Sequence, residues 1–300
     1  MRSRKFLTSK VKVVALMMIL VMSVLAGCQS NEPAPTPAPS PAPAPSNNES
    51  SAGLTGTINS GGSTSVEKAA LSAMDEFAAI NPGVTFAYDS TGSSTGITNG
   101  TDGTYSLGFS SRDLRDSEKV DGLIYKTVAI DGIAVVLHPS NTVENITMEQ
   151  LTAIYKGEIT NWSELGGSDN TIVVVSREQG SGTRGAYEEI VDFQDRLVES
   201  AIIRDGNGNV ATYVMEEPNA IGYVSFTTLQ ANEDRLKAVK IDGAEATVEN
   251  VVNGAFKVSR PFIMVYREEN LNEAERAFVE FVFTEDGQNA IEATGVIKVK

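Results

Sequence analysis

Ile172-Val173-Val174-Val175-Ser176-Arg177-Glu178-Gln179-Gly180-Ser181-Gly182-Thr183 is the stretch on which the fold turns. Its four β-branched residues predict a strand buried on both faces, as in parallel sheets covered by helices. An arginine, two glycines and three small hydroxyls follow at once, the composition of a turn from a strand into a helix. Unpaired N–H groups and the positive end of the helix dipole attract an anion at such a point. Glycine allows close backbone approach, and hydroxyls add donors without bulk. Arg177 brings a planar fork that can grip two oxygens of a tetrahedral oxyanion.

Two earlier loops repeat the theme. Gly61-Gly62-Ser63-Thr64-Ser65-Val66 follows a strand predicted over Leu54–Asn59, and Thr64 with Glu67 has the spacing of a capping box. Thr91-Gly92-Ser93-Ser94-Thr95-Gly96-Ile97 follows a strand predicted over Val84–Tyr88. One such loop alone is an ordinary helix cap. Three in one chain could surround a small anion with neutral donors and a single cation.

The pattern between the loops alternates. Val66, Ala70, Ala73 and Phe77 fall at helical spacing before Pro82-Gly83. Ile133–Leu137 and Phe262–Tyr266 read as strands, and Tyr187–Leu197 and Glu273–Phe283 as helices. Met148–Tyr155 reads as a helix with Thr147 as its cap, Gln150 closing a capping box and Gly157 ending it. Alternation of this kind predicts an α/β fold with parallel sheets flanked by helices.

Composition narrows the function. The 300 residues carry 24 Lys and Arg against 39 Asp and Glu, a net charge of −15, which argues against a nucleic-acid partner. Short-range donors in a desolvated cleft can still outweigh that surface field, which salt screens over about 8 Å. One cysteine and one histidine leave almost no material for a disulfide framework, a metal centre or a histidine-based triad. No cofactor is expected. No loop has the P-loop or GxGxxG spacing, and Gly180-Ser181-Gly182 lacks the G-x-S-x-G elbow. His138, before Pro139, reads as a structural histidine at a domain crossover.

The amino terminus indicates a compartment. Arg2, Arg4, Lys5, Lys10 and Lys12 precede an apolar run from Val13 to Ala26, too short to span a bilayer comfortably but suited to a secretory signal. Leu25-Ala26-Gly27-Cys28 has the form of a bacterial lipobox. The expectation is a signal peptide over 1–27, a lipidated Cys28 and a linker over 28–53. Seven of the eleven prolines lie between Pro33 and Pro45, which favours a semi-stiff polyproline II stalk about 40 Å long.

With these residues in view, the chain resembles the PstS-type phosphate-binding lipoproteins of bacterial phosphate ABC transporters. The resemblance covers roughly 54–300. It rests on the three loops, on Ile154-Tyr155-Lys156-Gly157-Glu158-Ile159-Thr160-Asn161-Trp162, and on Ala220-Ile221-Gly222-Tyr223-Val224. It implies a two-lobed periplasmic-binding-protein-like fold of type II with the ligand in the interlobe cleft. Residues 54–136 plus 257–300 would form one lobe and 137–256 the other. Ser63, Thr64, Ser65 and Ser93 would bind from the first lobe, and Arg177, Ser181, Gly182 and Thr183 from the second. Ser111 stands where some members carry an aspartate that accepts the proton of phosphate. Asp113 and Glu178 are candidate substitutes for that acceptor, and Arg112 is a candidate second cation.

The function implied is capture of inorganic phosphate, without catalysis, by a monomer held at the extracytoplasmic face of the membrane by lipid. The phosphate would pass to the permease subunits of the transporter. Competing readings are a binding protein for another tetrahedral oxyanion (sulfate, molybdate or a phosphonate), a secreted serine phosphoesterase using Ser181, and an adhesion or sensor module.

Overall fold

A computed structural model describes residues 53–299; the expected signal peptide, Cys28 and nearly all of the linker lie outside them. The chain begins with β1 (Thr55–Gly62), α1 (Glu67–Ile80), β2 (Gly83–Asp89), α2 (Ser93–Asp102) and β3 (Leu107–Ser110). β4 (Ile124–Leu137) then leads to β5 (Asn145–Ile146), α3 (Met148–Lys156), β6 (Val173–Arg177), α4 (Gly182–Ile190) and β7 (Ile202–Arg204). Next come α5 (Gly206–Glu216), β8 (Ala220–Ser225), α6 (Phe226–Gln230), β9 (Lys237–Ala238), β10 (Lys240–Ile241) and α7 (Val248–Val252). β11 (Ser259–Tyr266), α8 (Glu273–Val282), α9 (Glu285–Glu292) and β12 (Ile297–Lys298) complete the described chain.

Hydrogen-bonded strands run in the order β2-β1-β3-β11-β4-β8-β6-β7. Pairing is parallel at the two ends of this path, where β1 meets β2 and β3 and where β6 meets β7 and β8. It is antiparallel in the middle, where β11 meets β3 and β4, and β4 meets β8. The sheet is therefore mixed. Each antiparallel pair on this path includes β4 or β11, the two strands that run between the two larger apolar cores.

One core gathers Ile58, Met74, Phe77, Phe262 and Phe278. Its aromatic rings meet edge to face, with Phe278 centred 5.4 Å from Phe77 and 4.9 Å from Phe86. The other gathers Ile133–Leu137, Tyr155, Trp162, Tyr187 and Tyr223. β4 serves both: Ile124–Gly132 pair with β11, and Ile133–Leu137 pair with β8. All five residues of Ile133–Leu137 are fully buried, worth about 1.5–3 kcal/mol for each large aliphatic side chain. Where the two crossing strands lie side by side, Asp131 pairs with Arg260 at 2.8 Å, and both side chains are buried.

Local sequence explains most element ends. Thr147 and Gln150 form the reciprocal capping box of α3, and Gly157 ends it in a left-handed conformation. The helix expected over Tyr187–Leu197 instead lies at Gly182–Ile190, and Asp192 and Asp195 take left-handed φ of 57°. Trp162 is structural: it is buried, and its Nε1 donates to the Asn219 carbonyl at 3.0 Å. His138 Nδ1 accepts from Ser140 N–H at 3.1 Å and lies 2.7 Å from the Ser140 hydroxyl.

Candidate functional site

The carboxyl ends of β1, β2 and β6 bring the three glycine-hydroxyl loops to one place, with Ser111 beside them at the end of β3, where open α/β sheets collect ligands. Bare backbone makes the approach possible on the first core. Gly62 has φ of 130°, and a Cβ there would lie 2.2 Å from the Phe109 carbonyl oxygen and 2.8 Å from Gly96 Cα. No other residue fits that crossing.

The first core contributes a connected set of hydroxyls. Ser63 Oγ donates to Ser111 Oγ at 2.8 Å and accepts Ser65 N–H at 3.2 Å. Ser93 Oγ accepts Ser111 N–H at 3.0 Å and lies 3.3 Å from Ser111 Oγ. Tyr88 donates its phenol proton to the Ser63 carbonyl at 2.7 Å. Burial, with the charge of Glu67, pushes that phenol well above its ordinary pKa, so it remains a donor.

The second core meets these groups directly. Thr183 Oγ1 lies 2.7 Å from Ser65 Oγ, and Arg177 Nη2 donates to Thr64 Oγ1 at 3.2 Å. Ser94 N–H donates to the Gly180 carbonyl at 3.1 Å. Gly182 packs so tightly on the first core that a Cβ there would fall 2.1 Å from Ser93 Oγ and 2.6 Å from Ser111 Oγ. Ser181 caps α4 by accepting Arg184 N–H at 3.2 Å. All nine residues expected at the site therefore lie together. Ser63, Ser65, Ser93, Ser111, Arg177 and Thr183 are each at most 2% exposed.

Thr64 does not close the expected box with Glu67. Val66 caps α1 without a side-chain bond, because the Thr64 hydroxyl accepts from the opposite core instead. Besides Arg177, its second donor is Asn207 Nδ2 at 3.1 Å, a contact the sequence reading missed. The available signal was Gly206-Asn207-Gly208, another glycine-and-amide helix start directly after a short strand.

Each buried arginine near the site is matched by a carboxylate. Arg177 Nε and Nη2 donate to Glu178 Oε2 and Oε1, both at 2.7 Å. Burial raises the Glu178 carboxyl, but the hydrogen bonds and charge of Arg177 outweigh it and leave the pKa lowered. Glu178 also accepts Gly206 N–H at 3.2 Å, so its oxygens are occupied. Asp113 is exposed. Arg112, only 6% exposed, forms a two-pronged pair with Glu118 at 2.7 and 2.8 Å and donates to Ser94 Oγ at 3.2 Å. It braces the α2 loop. Behind Arg177, the Tyr223 hydroxyl accepts Arg177 N–H at 3.3 Å and contacts Ser176 Oγ at 2.8 Å, and burial pushes its pKa up to about 12.

Chemically, the arrangement offers hydroxyl and amide donors around one guanidinium in a desolvated place, which suits an oxyanion. Among the described residues no cluster of three His, Cys, Asp or Glu is placed to hold a metal ion, and no helix is long and apolar enough to cross a membrane.

Comparison with known proteins points the same way. The family model for the PBP superfamily domain matches residues 47–286. A Clostridium perfringens structure with bound phosphate is 46% identical, covers 82% of this chain and 100% of that one, and superposes with a TM-score of 0.79. An ABC-type phosphate transport receptor from Vibrio cholerae is 32% identical over 81% of this chain and 100% of its own, with a TM-score of 0.68. The phosphate-binding protein PstS of Bacillus subtilis is 28% identical over 82% of each chain.

Proposed function

The chain belongs to the PBP superfamily, and on that premise we propose that it captures inorganic phosphate between its two cores for delivery to an ABC permease. It is a PstS-type substrate-binding protein and not an enzyme. The observation that carries the reading is the meeting of Ser63, Thr64, Ser65, Ser93 and Ser111 from one core with Arg177, Gly182 and Thr183 from the other. These residues, with Ser181, are the proposed ligand contacts. The lobes are those expected from the sequence, 54–136 with 257–300 and 137–256, except that Ile133–Val136 and Val258 pack into the core of the second; β4 and β11 join them. An anion touched from both sides favours the form in which the lobes meet, and that differential affinity drives closure.

Isothermal titration with phosphate and sulfate tests the function. One phosphate per chain is expected, with no turnover. Absence of heat with phosphate ends the reading, and tighter binding of sulfate transfers it to another oxyanion. Ser111 motivates that comparison, because a hydroxyl can donate as well as accept, whereas a carboxylate would repel an anion that has no proton.

The finer assignments concern location. The lipobox ending at Cys28 supports an extracytoplasmic protein tethered by lipid. Cys28→Ser is expected to release the protein from the membrane fraction; retention there counts against the anchor.

A further inference from the structure

We propose that Asn207 sets the donor polarity of the hydroxyls that line the anion site, a role that rests on the oxyanion reading above. The orientation of its carboxamide is fixed by a backbone group. Ser225 N–H can only donate, and it lies 3.1 Å from Asn207 Oδ1. The nitrogen must therefore face the site, where it donates to Thr64 Oγ1 at 3.1 Å and to Ser65 Oγ at 2.8 Å. With both amide hydrogens and the oxygen engaged and the residue 2% exposed, the group has no reason to flip.

The consequence follows from counting protons. Thr64 Oγ1 accepts from Asn207 Nδ2 and from Arg177 Nη2. Both lone pairs are then filled, and its own proton must point elsewhere. Ser65 Oγ accepts from Asn207, and Thr183 Oγ1 accepts from Arg177 Nη1 at 3.4 Å. The short Ser65–Thr183 contact uses one proton of that pair, whichever oxygen donates. Two hydroxyl protons therefore remain, one from Thr64 and one from Ser65 or Thr183, with no acceptor among these groups. An anion in the site is the acceptor they lack.

An aspartate at 207 reverses this count. Its carboxylate draws the Thr64 and Ser65 protons toward itself, Thr183 then donates to Ser65, and none of the three hydroxyls keeps a proton for the ligand. Alanine only releases the hydroxyls to rotate. Asn207 thus acts through Thr64, Ser65 and Thr183 and is a positioning residue.

The test is phosphate titration of the full chain and its variants, with thermal melts to confirm that each folds. Asn207→Ala is expected to weaken phosphate about tenfold and Asn207→Asp by about 100-fold or more, since each bond to a charged acceptor carries a factor of this order. A packing role alone predicts the opposite order, because aspartate is nearly isosteric with asparagine. Charge repulsion is separated by a double-mutant cycle. In a Thr64→Ala/Ser65→Ala background the Asn207→Asp penalty is expected to shrink by tenfold or more. A penalty of equal size in both backgrounds assigns the loss to charge and overturns the proposal, as does Asn207→Asp binding better than Asn207→Ala. If the unsubstituted protein gives no heat with phosphate, the oxyanion reading falls and this assignment falls with it. Binding by the parent with the wrong order of variants removes this assignment alone.

Discussion

Gly182→Ala is a single-methyl probe of whether the two cores must touch for the ligand to be held. Gly182 is the first residue of α4 and its φ is not left-handed, so alanine there is locally favoured by about 0.5–1 kcal/mol. The added carbon meets Ser93 Oγ at 2.1 Å, Ser111 Oγ at 2.6 Å and Ser93 Cβ at 2.8 Å. Turning the Ser93 hydroxyl aside relieves only the first of these. The start of α4 must therefore withdraw from α2 by roughly 1 Å to reach ordinary contact distance. The Ser65–Thr183 contact of 2.7 Å would then open beyond hydrogen-bond length, and an anion could not be gripped from both sides. Losing two bonds to a charged ligand costs about 3–6 kcal/mol, or roughly 10²- to 10⁴-fold in affinity. Calorimetric titration with phosphate measures the loss, and the melting temperature of the ligand-free variant should be unchanged or slightly higher. Affinity within threefold of the parent, in a variant whose scattering profile still contracts on adding phosphate, would refute the reasoning.

Arg177→Ala should lower phosphate affinity by at least 100-fold and also destabilise the fold, because Glu178 keeps its charge without a partner. Adding Glu178→Gln should recover melting temperature but not affinity, and recovery of both contradicts the role given to the guanidinium. Ser111→Asp should raise the preference for phosphate over sulfate in competition titrations; an unchanged ratio argues that Ser111 does not face the ligand. Phe278→Ala should cost about 3–5 kcal/mol in urea unfolding, since its ring is fully buried against Phe77 and Phe86. Asp131 supplies a pH test: burial raises its pKa to about 6, against the opposing charge and hydrogen bond of Arg260. The folded protein then keeps a proton that the unfolded chain loses near pH 3.9, so this group's contribution to stability falls as pH rises from about 4 through 6. Asp131→Asn should remove that part of the slope in melts between pH 4 and 7, and identical slopes in parent and variant contradict it.

What the sequence revealed was mostly local. Ile172–Val175 declared a buried strand because β-branched residues have few other uses in an unbroken run. The capping box of α3 formed as its spacing required, with both reciprocal bonds present. The Thr64–Glu67 box has the same spacing and did not form, since Arg177 and Asn207, distant in sequence, compete for the Thr64 hydroxyl. Long-range contacts also hid the antiparallel pairing of β11, because a run such as Phe262–Tyr266 does not state the direction of its neighbour. The end of α4 was misjudged because apolar spacing continues to Leu197, although Asp192 and Asp195 turn the backbone left-handed. At the site, glycine and hydroxyl residues were legible because their chemistry is unusual at helix starts. Asn207 was not, since an amide between two glycines reads equally well as a turn, and the carboxylate clamps on Arg112 and Arg177 depend on geometry that spacing does not encode.

The division of β4 between two cores has a consequence for how the molecule melts. Ile124–Gly132 belong to one sheet region and Ile133–Leu137 to the other, so neither half can come apart without stripping a central strand from its neighbour. Domains joined by slack tethers commonly denature in separate steps. Here a shared backbone element couples the halves, and scanning calorimetry should record a single endotherm whose calorimetric and van't Hoff enthalpies agree. Motion between the halves is correspondingly confined to flexing of continuous strands, which permits a swing but not a drift.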